Sequence, residues 1–338
     1  MTAAGVPGPV ASVSVVLPTL NEQGFIRDCL DSLLAQDYPH IAEILVVDGG
    51  STDATVEIAE QAGGTVRVVP NPRTSAAAAM NIGIAEARGD VIVRADAHAL
   101  YLPDYVRRCV EVLGDTGAAN VGGPMRAVGT SSFGRAVAAV TSSPFGVGPG
   151  RFHYSDVREE VDTVYLGSWR RQTLVDIGGY DETSLQWGAE DHELNHRITQ
   201  AGGVIVLDPS IRSWYFPRET PRALARQYFN YGVGKVSTFT KHGTLPTWRP
   251  LAPAALVLAA AVALASPRPL GRVAVPAAHA AAASVVAMQL SRDQGVAPHR
   301  ALSALAICHW SYGAGIWAGL LRRWSGRGFD RLPRAGRR

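Results

Sequence analysis

The chain has 338 residues, of which charged residues make up 18%, and its formal net charge is +3. That length holds one large or two ordinary domains with a buried core, and so small a net charge argues against nucleic-acid binding driven by phosphate neutralisation. Charge is scarcer than the rough quarter of a typical soluble protein, mostly after Pro250, and the widely separated Cys29, Cys109 and Cys308 fit neither a disulfide framework nor a metal-ligand spacing.

No positively charged segment precedes the first apolar run, so no secretory signal is expected and the first 240 or so residues are expected to stay in the cytoplasm. "VSVVLP" (Val13–Pro18) is a β-branched run that predicts a strand, and "NEQGFIRDCLDSLLAQ" then places Phe25, Ile26, Cys29, Leu30, Leu33 and Leu34 at helical spacing. "EILVVD" (Glu43–Asp48) predicts a second strand and "STDATVEIAEQA" a helix, with Ser51, Thr52 and Asp53 as cap and first-turn candidates. "TVRVV" (Thr65–Val69), "SAAAAMNIGIAEA" (Ser75–Ala87) and "DVIVRAD" (Asp90–Asp96) continue as strand, helix and strand. Such alternation implies parallel βαβ units with right-handed crossovers, which bind ligands beyond the carboxyl ends of their strands.

That rule singles out Thr19, Asn21 and Glu22 after the first strand, Asp48 at the end of the second and Asp96 at the end of the fourth. Each alone reads equally well as a cap or turn residue; together they suggest one polar crevice. Neither GxGxxG nor GxxxxGK[ST] follows the first strand, which leaves dinucleotide and P-loop readings without support.

"VSVVLPTLNE", "VVDGGSTDAT", the Asp96-Ala97-His98 triplet and "AEDHELNHR" occur in the order found in family 2 glycosyltransferases. The longer run through "VGGPM", "GSWRRQTLVDIGGYDE" and "RQYFNYGVGK" resembles the branch with succinoglycan-type exopolysaccharide glycosyltransferases, over about residues 12–240. The resemblance implies an inverting enzyme of the GT-A fold, a Rossmann-like, mostly parallel α/β sheet flanked by helices, here followed by C-terminal membrane helices. It implies that Pro18, Thr19, Glu22, Asp48 and Asp96 hold the nucleotide sugar. It also implies a divalent cation, Mg2+ or Mn2+, at the position of Asp96 and His98. Asp96 and His98 lie two apart, so both face one side if the strand continues through them; His98 then serves as a metal ligand or donates directly to a phosphate oxygen.

The resemblance assigns the catalytic base to Asp191 and puts Trp187, Gly188, Glu190 and His192 on the acceptor side. The same acidic run also suits a helix N-terminus and its dipole, with Glu193 positioning the neighbours of Asp191 or pairing with Arg197 at i+4. Asp53 reads as a helix cap or a donor ligand, Arg73 and Asn81 as weak donor candidates, and Gly178-Gly179 as a turn. Processive synthases carry Gln-x-x-Arg-Trp, whereas Gln227 is followed here by Tyr228, Phe229, Asn230 and Tyr231, which favours addition of one sugar.

Pro221 onward is basic and aromatic, as expected of an interfacial helix. Leu251–Ser266, Val273–Leu290 and Ala301–Leu321 are apolar, and "RRWSGRGFDRLPRAGRR" closes the chain with seven arginines. Three spans would place that tail outside, against the positive-inside rule; two spans, or a re-entrant hairpin with interfacial helices, keep it inside. The expected organisation is a flexible 1–11, a catalytic domain 12–220, an interfacial segment 221–247, membrane helices 248–321 and a cytoplasmic tail 322–338.

The resulting expectation is a multi-pass enzyme of the cell membrane with a cytoplasmic catalytic domain. It would move a hexose, UDP-glucose by default, to a polyprenyl-linked acceptor, alone or beside other glycan-assembly enzymes, with no nucleic acid involved. A nucleotidyltransferase, or a non-catalytic membrane subunit with a glycosyltransferase-like domain, are the alternatives.

Overall fold

The computed structural model describes residues 11–148, 150–183, 190–243 and 251–325. In chain order its elements are β1 (Val13–Thr19), α1 (Ile26–Leu34), β2 (Ile41–Asp48), α2 (Thr55–Gln61), β3 (Val66–Pro70), α3 (Ala76–Glu86), β4 (Val91–Arg94) and β5 (Ala99–Tyr101). There follow α4 (Tyr105–Thr116), β6 (Asn120–Gly123), β7 (Met125–Ala127), α5 (Ser132–Thr141), α6 (Pro144–Val147), β8 (Glu159–Glu160), β9 (Tyr165–Arg170) and α7 (Arg171–Asp176). The last are α8 (Glu190–Gln200), β10 (Ile205–Leu207), β11 (Ser213–Tyr215), α9 (Pro221–His242), α10 (Leu251–Leu264), α11 (Pro269–Gln294) and α12 (Pro298–Trp324).

Two compact units result: Met1–Pro124 with Ser155–Tyr180 and Leu194–Trp214, and Met125–Tyr154 with Asp181–Glu193 and Tyr215–Arg338. In the first, an eight-stranded sheet has the order β3-β2-β1-β4-β9-β6-β10-β8. The expected parallel block is there: β1 pairs in parallel with β2 and β4, and β2 with β3. Val13, Val15, Val16, Leu17 and Leu45 are essentially inaccessible because helices cover both faces of such a sheet. The sequence did not foretell β9, which enters antiparallel between β4 and β6.

Two local expectations need correction. The fourth strand ends at Arg94, and Asp96 to His98 form a turn in which Ala99 N–H bonds to the Asp96 carbonyl at 3.2 Å. Period-two alternation therefore does not set the directions of Asp96 and His98. Glu193 turns to Lys241 and His242 at 2.6 and 3.1 Å, and the Arg197 guanidinium donates to the carbonyls of Ile177 and Gly179 at 2.6 and 2.7 Å. Gly178 and Gly179 do form a turn, with φ of 82° and 69°.

In the second unit α9 runs alongside α12, and glycines let the backbones approach. A Cβ on Gly232 would sit 2.3 Å from the Tyr312 carbonyl oxygen, and one on Gly315 2.1 Å from that of Phe229. Further along, Gly319 meets Val236, and the Arg323 guanidinium lies over the Phe239 ring. The helix α10, at 14 residues, spans only about 21 Å, short of a ~30 Å hydrocarbon core. The helices α11 and α12 have 26 and 27 residues and are apolar enough to cross a membrane. His279 Nε2 lies 2.9 Å from His309 Nδ1, a polar tie between these two helices, and His309 Nε2 lies 2.9 Å from the Phe145 carbonyl. Of the arginine-rich tail, residues 326–338 lie outside the described residues.

Because the Gly315 clash is with backbone, Gly315→Ala is expected to cost roughly 1–3 kcal/mol, as overpacked cores do. A lowered thermal midpoint in detergent would show it. Gly114→Ala, where the new methyl meets open space within α4, is expected to leave the midpoint unchanged or raise it.

Candidate active site

Parallel pairing sets Thr19 beside Asp48 at the adjoining ends of β1 and β2. The Asp48 carboxylate accepts from the Gly50 and Ser51 N–H groups at 2.9 Å each and from the Ser51 hydroxyl. Asp48 thus shapes its own loop and keeps acceptor lone pairs beyond those bonds. Gly50, at φ 85°, provides the left-handed turn this wrapping needs.

The loop after β1 is stitched to the loop after β2. Asn21, itself left-handed at φ 57°, takes the Thr52 N–H on its side-chain oxygen at 2.8 Å and gives its own N–H to Ser51 Oγ at 2.8 Å. Glu22 N–H donates to Thr55 Oγ1 at 2.7 Å. Asp53 accepts from Thr55 N–H and hydroxyl and from Gln23 N–H. Desolvation would raise the Asp53 pKa, but those hydrogen bonds outweigh it and hold the carboxyl below its usual value. Asp53 therefore acts as the clamp at the start of α2. Asn81 likewise exchanges hydrogen bonds with the Tyr180 backbone, at 2.7 and 2.9 Å, a structural task.

Polar groups face the space that this stitching frames. Thr19 Oγ1 is buried with no hydrogen-bond partner among the described residues. Val16 gives its carbonyl to Ala95 N–H, so Pro18, two residues on, addresses the same side, where β4 has already ended and needs no donor. Asp96 is held from below: its N–H donates to Tyr101 Oη at 2.7 Å, and the Arg94 guanidinium stands 3.4 Å from its carboxylate. Arg94 is 7% exposed. The sequence reading missed it, because a lone arginine inside "VIVR" looks like a strand edge. His98 Nδ1 lies 3.6 Å from Glu22 Oε1, so the sequence-expected Glu22, Asp96 and His98 share this strand end.

No cluster of three His, Cys, Asp or Glu side chains able to hold a metal occurs among the described residues. Mg2+ and Mn2+ do not need one, since they are commonly held by one or two protein groups with substrate phosphates and water completing the shell. A carboxylate and an imidazole at one strand end, those of Asp96 and His98, fit that pattern.

In the second unit, α8 opens with Glu190, Asp191 and Glu193 in its first turn. Glu190 and Glu193 are buried at 7% and 0% exposure, and Asp191 is half-buried. Desolvation, with Lys235 and His153 adding to it, pushes the His192 pKa down to about 3, so the acceptor-side candidate His192 is a neutral imidazole at physiological pH. Trp187 and Gly188 lie outside the described residues.

The family model described as glycosyl transferase family 2 matches residues 14–159, and that described as the N-terminal domain of galactosyltransferase matches residues 164–215. The succinoglycan biosynthesis protein ExoA of Rhizobium meliloti is 34% identical over 315 residues, covering 91% of this chain and 94% of that protein. A dolichyl N-acetyl-alpha-D-glucosaminyl phosphate 3-beta-D-2,3-diacetamido-2,3-dideoxy-beta-D-glucuronosyltransferase of Methanococcus voltae is 26% identical over 234 residues, covering 66% and 72%. Among solved structures, the mannosyltransferase PcManGT from Pyrobaculum calidifontis, in complex with GDP-Man and Mn2+, superposes with a TM-score of 0.58 at 22% identity over 92% of this chain and 87% of that one. This last likeness is one of fold.

Burial also has a pH consequence. Desolvation lowers the His153 pKa from an ordinary 6.5 to about 4. Between those values the unfolded chain binds the proton that the folded chain refuses, so stability is present above pH 6.5 and is lost as pH falls toward 4. His153→Gln is expected to flatten this acid-side decline in the thermal midpoint; a slope equal to the parent's would discount the burial of His153 as its source.

Proposed function

Because this chain belongs to glycosyl transferase family 2 and is a glycosyltransferase, we propose that it makes one inverting addition of a hexose from a nucleotide diphosphate sugar to a lipid-linked saccharide at a membrane. Such a reaction places it in exopolysaccharide or lipid-linked glycan synthesis. The observation that carries the reading is the set of polar groups at the ends of β1, β2 and β4, built on loops that hold their own shape before a ligand arrives. Family membership displaces the nucleotidyltransferase reading.

Each residue then has a task. Thr19, Glu22 and Asp48 take the base and ribose, the Thr19 hydroxyl gaining the partner it lacks. Asp96 and His98 face the diphosphate as the protein ligands of a divalent cation. When bound, that cation offsets charge developing on the departing diphosphate. Asp191 accepts the proton of the acceptor hydroxyl as its oxygen bonds to the anomeric carbon. The bond from that carbon to the diphosphate oxygen breaks with its electron pair leaving on the nucleoside diphosphate. One displacement inverts the anomeric centre, and no side chain forms a bond to the sugar.

UDP-glucose is the default donor. A lipid acceptor is supported by the apolar α11 and α12, which suit an enzyme working on an acceptor anchored in a bilayer with its catalytic domain in the cytoplasm. The dolichyl phosphate in the name of the Methanococcus voltae relative is consistent with that class of acceptor.

Full-length protein in membranes, given a panel of nucleotide sugars with membrane extract as acceptor, is expected to release nucleoside diphosphate in a metal-dependent way. Asp191→Asn should lower the rate by at least about a hundredfold, within the range for loss of a general base. His98→Ala should raise the metal concentration needed for half-maximal rate while leaving the thermal midpoint near that of the parent. Undiminished turnover in the Asn variant removes the base assignment, and an unchanged metal requirement in the Ala variant returns His98 to a structural role.

A further inference from the structure

Two residues beyond Asp191, Glu193 is wholly inaccessible to solvent. Its Oε1 lies 2.6 Å from Lys241 Nζ and 3.1 Å from His242 Nε2, and the same Lys241 ammonium lies 2.7 Å from Asp181 Oδ2. Asp181 is nearly as enclosed as Glu193, with its side chain 8% exposed, whereas Lys241 is 31% exposed. Lys241 and His242 are the last two residues of α9, directly before Gly243, whose φ of 67° ends that helix.

A buried carboxylate of this kind needs an explanation other than stability. Replacing a buried ion pair by apolar residues is often neutral or favourable, whereas breaking one is costly. The helix dipole does not require Glu193 either, because Glu190 and Asp191 already place acids in the first turn of α8. What a buried pair does confer is a fixed direction. At 3.6 residues per turn, side chains two apart point about 200° away from each other. Anchoring Glu193 on the end of α9 therefore sets the rotation of the first turn and with it the opposite direction, along which Asp191 projects.

We propose that Glu193, clamped by Lys241 and His242, is a positioning residue for the base, with Lys241 also drawing the preceding Asp181 segment onto the same point. The proposal rests on Asp191 being that base. It assigns Glu193 no contact with substrate: it acts through the orientation of its neighbour.

The test uses full-length protein in detergent, assayed for nucleoside diphosphate release, with kcat expressed per folded enzyme as counted by nucleotide binding. Glu193→Gln and Lys241→Met are each expected to lower kcat at least tenfold while leaving the donor KM within twofold. Glu193→Gln/Lys241→Met together should be no slower than the slower single variant, since the two act as one pair. Lys241→Arg, which keeps the charge and reaches both carboxylates, should recover most of kcat and also serves if the charge-deleting variants fold poorly. Parental kcat per folded enzyme in both single variants overturns the proposal, as does a Lys241→Arg variant as slow as Lys241→Met. Asp191→Asn separates the two levels: if it turns over normally, the base reading itself fails; if it is inactive while Glu193→Gln is normal, only the positioning role fails.

Discussion

The parallel pairing of β1 with β2 on one side and β4 on the other is the constraint on which the rest of the first unit depends. Parallel strands finish at the same edge, so three chain segments leave the sheet together and their backbone groups lose ladder partners at one place. The loops must satisfy those groups themselves. Asp48 does so for Gly50 and Ser51, Asn21 for Thr52, and Asp53 for Thr55 and Gln23. Loops so tied need little ordering when a ligand arrives, which reduces the entropic cost of binding. Side chains left over from that work, such as the Thr19 hydroxyl, are the ones available to a ligand.

The parallel core was legible because strands buried on both faces read as continuous β-branched runs, and Val13–Leu17 and Ile44–Val47 are such runs. The antiparallel insertion of β9 was not, since strand order depends on long-range pairing that a local pattern does not encode. "VIVRAD" was read as strand through Asp96, yet the chain turns after Arg94. The signal that ends the strand there is tertiary: Tyr101 bends back to place its hydroxyl on the Asp96 N–H. Glu193 shows the same limit. The i+4 rule favoured Arg197, but a cation 48 residues away, brought in by the end of α9, occupies that carboxylate. Arg197 donates instead to the carbonyls of Ile177 and Gly179.

Charge balance at the strand end follows from the same local details. Aspartates at both the Asp96 and His98 positions would present two carboxylates to a diphosphate that is itself anionic. Here Arg94 stands against Asp96, and the second position is the imidazole of His98, near Glu22. The surroundings of the proposed phosphate site are therefore closer to neutral before any cation binds, which reduces repulsion of the donor. The same balance weakens the hold on a free cation. On the proposed reading, the cation is better held once substrate oxygens contribute to its shell, in keeping with the absence of a three-residue ligand cluster among the described residues.

In the second unit, the composition of α9 has two causes at once. Its packing on α12 requires small residues, because a Cβ at the contact would strike the facing backbone. Gly232 on α9 and Gly315 and Gly319 on α12 serve that end. At its other end α9 finishes with Lys241 and His242, and both turn to Glu193. Both features on one rigid rod mean that the placement of α9 against α12 and the placement of the α8 turn are set by the same element.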